Sequence, residues 1–78
     1  MKVTREEVIA LAHKAKLGID PSILRDDLTL TDQGVDSIGV FSLVLLLQEA
    51  YKIEIPDEAI DRLTSIPSVV DYLNAHVQ

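Results

Sequence analysis

The chain has 78 residues, no cysteine, 47% hydrophobic residues and a formal net charge of −6. Without cysteine there can be no disulfide staple, cysteine-based metal site or thiol nucleophile, so the fold has to rest on apolar packing. Thirteen acidic against seven basic residues would repel a polyanion, which argues against nucleic-acid partners and favours partners with basic patches. The N-terminus becomes charged by Lys2 and shows no signal-peptide core, and the longest apolar-rich run, residues 38–47, is too short to span a bilayer. One domain, 1–78, is expected, cytoplasmic and monomeric, and Met1 with the compact ends favours a stand-alone protein.

Helical periodicity runs through the chain, and no segment alternates like a strand. Thr4 and Glu7 match a capping box, and Val8, Leu11, Ala12 and Ala15 recur at helical spacing. Lys14 and Lys16 suit the negative end of this helix and Gly18 its stop, which predicts a helix from about Arg5 to Leu17. A long connection follows from Ile19 to Val35, punctuated by Pro21, Asp26, Asp27, Asp32 and Gly34, with Ile23, Leu24, Leu28 and Leu30 as its expected anchors in the core. Loops of this length in compact domains are uncommon and often functional.

Asp36 opens the second helix, Ser37 to Tyr51, whose Val40, Leu43, Val44, Leu47 and Tyr51 form one apolar stripe. Ile38, Phe41 and Leu45 form a second apolar row, either an interface or a surface packed under the long loop. Pro56-Asp57-Glu58 starts a helix of one or two turns that reaches Arg62. Thr64 or Ser65 begins the last helix, with Pro67 in its first turn and Ile66, Val69, Val70, Leu73 and Val77 inside. The expected architecture is all-α: a four-helix bundle with three longer helices, a short third one and a long loop between the first two.

Catalytic constellations are missing from this pattern. His13 and His76 lie near helix C-termini, where a histidine caps the dipole more readily than it binds metal. The segment Asp32-Gln33-Gly34-Val35-Asp36 lacks the ligand spacing of a calcium loop, so Asp26, Asp27 and Asp32 read as a solvated acidic face. At Gly34-Val35-Asp36-Ser37-Ile38, Gly34 allows a tight turn and Asp36 offers a cap. Ser37 falls in the first turn, where backbone N–H groups and the helix dipole favour an attached phosphate. On spacing alone the Asp-Ser pair reads first as a helix cap.

The same five residues resemble the Gly-x-Asp-Ser-Leu/Ile motif of acyl and peptidyl carrier proteins. Asp27-Leu28-Thr29-Leu30 is similar to that family's pre-motif loop, Glu54-Ile55-Pro56-Asp57-Glu58 to the start of its third helix, and Val69-Val70-Asp71-Tyr72-Leu73 to its final helix. The resemblance covers nearly the whole chain. It implies a non-catalytic carrier whose Ser37 receives 4′-phosphopantetheine from coenzyme A through a phosphopantetheinyl transferase. The arm would hold acyl or aminoacyl groups as thioesters for loading and chain-modifying enzymes, with Asp36 and Gly34 shaping the attachment turn.

Departures from the family pattern bear on partners. Gly39 and Ser42 stand where Asp and Glu are common, and Gln48 and Ala50 replace two further positions that are often acidic, leaving Glu49 alone. A partner face of Ile38, Gly39, Phe41, Ser42 and Leu45 is therefore expected to be led by apolar contact. Gly39 costs a helix about 1 kcal/mol relative to Ala, which would leave the helix start mobile or admit a close-lying partner. Leu46, where Ala is common, would narrow the space for a sequestered chain. The resemblance points to a carrier in a specialised fatty-acid, polyketide or nonribosomal peptide pathway. The alternatives are a housekeeping fatty-acid carrier and a helical interaction module that carries nothing.

Overall fold

The structure, a computed structural model, describes residues 2–15 and 17–77. Its elements are α1 (Arg5–Lys14), two 3₁₀ turns (Pro21–Ile23 and Thr31–Gln33), α2 (Ser37–Tyr51), α3 (Asp57–Ile60) and α4 (Ile66–His76). The chain is all-α, with four helices and no strand among the described residues, and α1 packs against both α2 and α4. Among the described residues no helix is long and apolar enough to cross a membrane.

Thr4 caps α1 by accepting from the Glu7 N–H, but the helix ends at Lys14, three residues short of the expected Leu17. The reason lies in the helical period. At about 100° per residue, Leu17 would stand roughly opposite Val8 and Ala12 and face solvent. Extended backbone at Ala15 lets Leu17 turn inward instead, where it is buried. Gly18, expected as the helix stop, takes a left-handed φ of 83° in the turn beyond. Lys16 lies outside the described residues.

The connection to α2 is held more sparsely than the sequence suggests. Asp20 caps the first 3₁₀ turn by accepting from the Ser22 N–H at 2.9 Å, a bond that holds its carboxyl below the usual carboxylate range. Pro21 and Leu24, three residues apart, share the inward side of that turn and are buried. Ile23 falls between them and is 66% exposed, and Leu28 is also exposed, so neither is a core anchor. Leu30 is, and its N–H donates to the Thr64 carbonyl at 2.7 Å. Arg5 spans back to the loop, donating to Asp26 and to the Leu24 carbonyl at 2.7 and 3.0 Å.

Along α2, Leu43, Val44 and Leu47 are buried as the stripe predicts, with Val40 and Tyr51 half-buried at its ends. Lys52 ends the helix in the left-handed region (φ 55°). Gln48 then accepts from the Ile55 N–H at 2.8 Å and holds the extended segment that leads to α3. The single turn of α3 is prolonged by Arg62 and Leu63 N–H groups that donate to the Ala59 and Ile60 carbonyls. Ser65 and Ser68 form the capping box of α4, whose Ile66, Val69 and Leu73 complete the core. At the other end Asn74 accepts from the Val3 N–H at 2.7 Å and donates to the Val3 carbonyl at 3.1 Å.

Tyr51 closes the α1–α2 seam by donating to the Glu7 carboxylate at 2.8 Å. Partial burial first, and the Glu7 hydrogen bond second, push its hydroxyl up from 10.0 to about 12. Because the neutral form is the favoured one, this contribution is complete below pH 10 and is lost as pH rises through 12. Ultraviolet titration of the folded chain should therefore show one tyrosine ionising near 12, a step absent from Tyr51→Phe. Between pH 10 and 12 the stability gap between wild type and Tyr51→Phe should close.

Candidate functional site

Three residues that the sequence singles out meet in one turn. Gly34 ends the second 3₁₀ turn with φ 98° and ψ 6°, a left-handed conformation that favours glycine. Val35 then points into the core, and its N–H donates to the Leu30 carbonyl at 3.0 Å. Asp36 is extended, and its side chain accepts from the Gly39 N–H at 2.8 Å. Ser37 follows as the first residue of α2 and is exposed. Among the described residues no hydrogen bond engages its hydroxyl. Asp36 satisfies one first-turn amide, leaving those of Ser37 and Ile38, which no carbonyl within the helix can reach.

Beside Ser37 lies a cleft of about 300 Å³. Val40 and Phe41 of α2 form one wall, Thr29, Leu30 and Thr31 another, and residues 60, 61, 63 and 64 of the α3–α4 turn the third. This meeting cannot be read from local pattern, because it depends on the long-range bond from Leu30 to Thr64.

The second apolar row faces outward and is not covered by the loop. Ile38 is 72%, Phe41 51% and Leu45 62% exposed. Ser42 is half-buried next to this row, whereas Gly39 turns inward. A Cβ at Gly39 would stand 3.1 Å from Leu17 Cα and 3.2 Å from Val35 Cγ1. The close neighbour that Gly39 admits is thus the chain's own Leu17. Leu46 lines shallow grooves against Leu11 and Lys14 of α1 and is not part of the cleft beside Ser37. Exposed His13 lies in the last turn of α1, and His76 stacks on Tyr72 with ring centroids 4.1 Å apart.

The family model of the phosphopantetheine attachment site matches residues 7–73, which include every residue of the turn and the cleft. The chain belongs to that family. Its members carry covalently attached 4′-phosphopantetheine and serve as carriers that work with a phosphopantetheinyl transferase and acyl-handling enzymes. The site fits such a group: an exposed hydroxyl at a helix start has unshared amides beside it and a partly apolar cleft within reach.

Substitutions at two positions probe the start of α2. Asp36→Ala should lower unfolding free energy by about 1 kcal/mol in urea, and Asp36→Asn should stay close to wild type. Gly39→Asp should destabilise by about 1–3 kcal/mol, because its side chain has to displace the Leu17 backbone. Gly39→Ala, which gains about 1 kcal/mol at an open helical position, should gain nothing here.

Proposed function

We propose that the chain carries acyl or aminoacyl groups as thioesters on a 4′-phosphopantetheine arm attached to Ser37. The observation that carries this reading is exposed Ser37 at the start of α2, whose hydroxyl has no hydrogen-bond partner among the described residues. The other serines in the matched span serve elsewhere: Ser22 is bonded to Asp20, Ser65 and Ser68 to each other, and Ser42 is half-buried. When bound, the arm supplies the thiol that this cysteine-free chain lacks. Asp36 and Gly34 fix the turn that presents Ser37, and the first-turn amides favour the phosphodiester charge. Ser37 itself needs no general base beside it, since a separate transferase activates it with coenzyme A and a divalent cation.

The pathway we favour is a specialised one in fatty-acid, polyketide or nonribosomal peptide synthesis, with the carrier acting as a cytoplasmic, monomeric, single-domain protein. Support comes from the outer side of α2, where exposed Ile38, Phe41 and Leu45 are accompanied by Ser42 and by a single acidic residue, Glu49, one turn beyond Leu45. Such a face suits enzymes that meet it through apolar contact, with rapid release. The housekeeping fatty-acid carrier is the second reading, and Glu54-Ile55-Pro56-Asp57-Glu58 favours it.

Intact mass before and after treatment with a broad-specificity transferase, coenzyme A and Mg²⁺ tests the attachment. The wild type should gain one phosphopantetheine and Ser37→Ala none; a folded, initially unmodified wild type that gains nothing would refute the reading. For the pathway, Ser42→Glu should raise turnover by general fatty-acid enzymes, and wild-type activity already at the level of their own carrier would favour the housekeeping role. Gly39→Asp is unsuitable for this purpose because its steric cost is mixed with any effect on recognition.

A further inference from the structure

The segment that leads to Ser37 contains no full helix, and much of it is exposed. One side chain closes it from within. Gln33 Oε1 accepts from the Arg25 N–H at 2.6 Å, and Gln33 Nε2 donates to the Arg25 carbonyl at 2.9 Å. The Leu28 and Thr29 carbonyls lie 3.2 and 3.3 Å from the same nitrogen, so its two hydrogens are shared among three acceptors. A single half-buried carboxamide thereby pairs both backbone groups of Arg25 and ties residue 25 to residue 33 across the loop.

The other side of this loop is a wall of the cleft beside Ser37, built by Thr29, Leu30 and Thr31. Leu30 is fixed independently by its burial and by Thr64. Thr29 is different: its hydroxyl meets Thr31 and the Asp32 N–H, both within the loop, and its carbonyl meets Gln33. Ion pairs do little to hold the rest, because Arg25–Asp27 and Arg5–Asp26 are both solvent-exposed.

We infer that Gln33 is a positioning residue of the Ser37 site, whose carboxamide holds loop 25–31 in place as the cleft wall that a phosphopantetheinyl transferase has to engage. The inference rests on the reading of Ser37 as the attachment residue. Among the described residues no hydrogen bond joins Gln33 to Ser37 or Asp36, whose cap runs to the Gly39 N–H, so its loss leaves the reacting hydroxyl and its helix cap intact. What changes is the order of the surface around them. A partner that meets a loose loop has to order it on binding, which weakens binding and spares the chemical step.

Gln33→Met keeps the length of the side chain and removes both hydrogen-bonding groups, while Gln33→Glu keeps an acceptor and turns the donor into a further oxygen. With the full chain as transferase substrate, both variants should raise KM about tenfold and leave kcat within twofold. Amide exchange at Arg25 should accelerate by at least tenfold, with the urea unfolding midpoint close to wild type. Unchanged Arg25 exchange, unchanged KM, or a loss confined to kcat would each overturn the role of Gln33. A wild type that takes no phosphopantetheine overturns the reading of Ser37 itself, an outcome separable from normal modification of wild type and both variants alike.

Discussion

Leu30 is the point on which the geometry of the site depends. Its side chain is almost fully buried, its N–H reaches the Thr64 carbonyl between α3 and α4, and its carbonyl accepts from both Gln33 and Val35. One residue thus joins the loop, the α3–α4 turn and the approach to α2. Without it, residues 31–36 would have only Val35 inside the core, and the start of α2 would no longer have a fixed relation to the turn that forms the far wall of the cleft. Burial supplies the energy and the backbone bonds supply the direction.

Side-chain amides recur where the chain runs extended. Asn74 pairs with Val3 through both backbone groups, Gln33 does the same with Arg25, and Gln48 holds the Ile55 N–H. Each segment lacks a neighbouring strand or helix to satisfy its backbone, and a carboxamide offers a donor and an acceptor in the same geometry as a peptide. A bundle of this size has little core to spare, so such pairings are an economical way to fasten terminus, loop and linker to the helices.

How much of this was legible from the sequence varies by element, for physical reasons. The limits of α2 follow from its Asp36 cap and its apolar period, both local signals, and they hold from Ser37 to Tyr51. The end of α1 is not legible in the same way, because Leu17 is apolar but out of phase with the α1 stripe, and its packing against Gly39 of α2 decides the backbone there. Hydrophobicity alone marks Ile23 and Leu28 as anchors, yet Ile23 falls on the outward side of its 3₁₀ turn and Leu28 lies exposed in the loop. The turn Gly34–Ser37 could be read as a motif. The cleft could not, since its walls come from segments about thirty residues apart. Gln33 also gave no signal, because a glutamine in a polar loop is ordinary until its partners are known.

The Leu17–Gly39 approach also constrains how this chain can change over evolutionary time. With Leu17 Cα 3.1 Å from where a Cβ at 39 would lie, the two positions are not free to drift separately. A lineage that gained an acidic residue at 39 would need the Leu17 backbone and the Val35 side chain to give by a few tenths of an ångström, which favours glycine there for as long as Leu17 keeps this path. Charge at this point of α2 is therefore inherited together with the path of the preceding loop. Exchanging α2 alone between two such carriers would transplant a surface without the support beneath it.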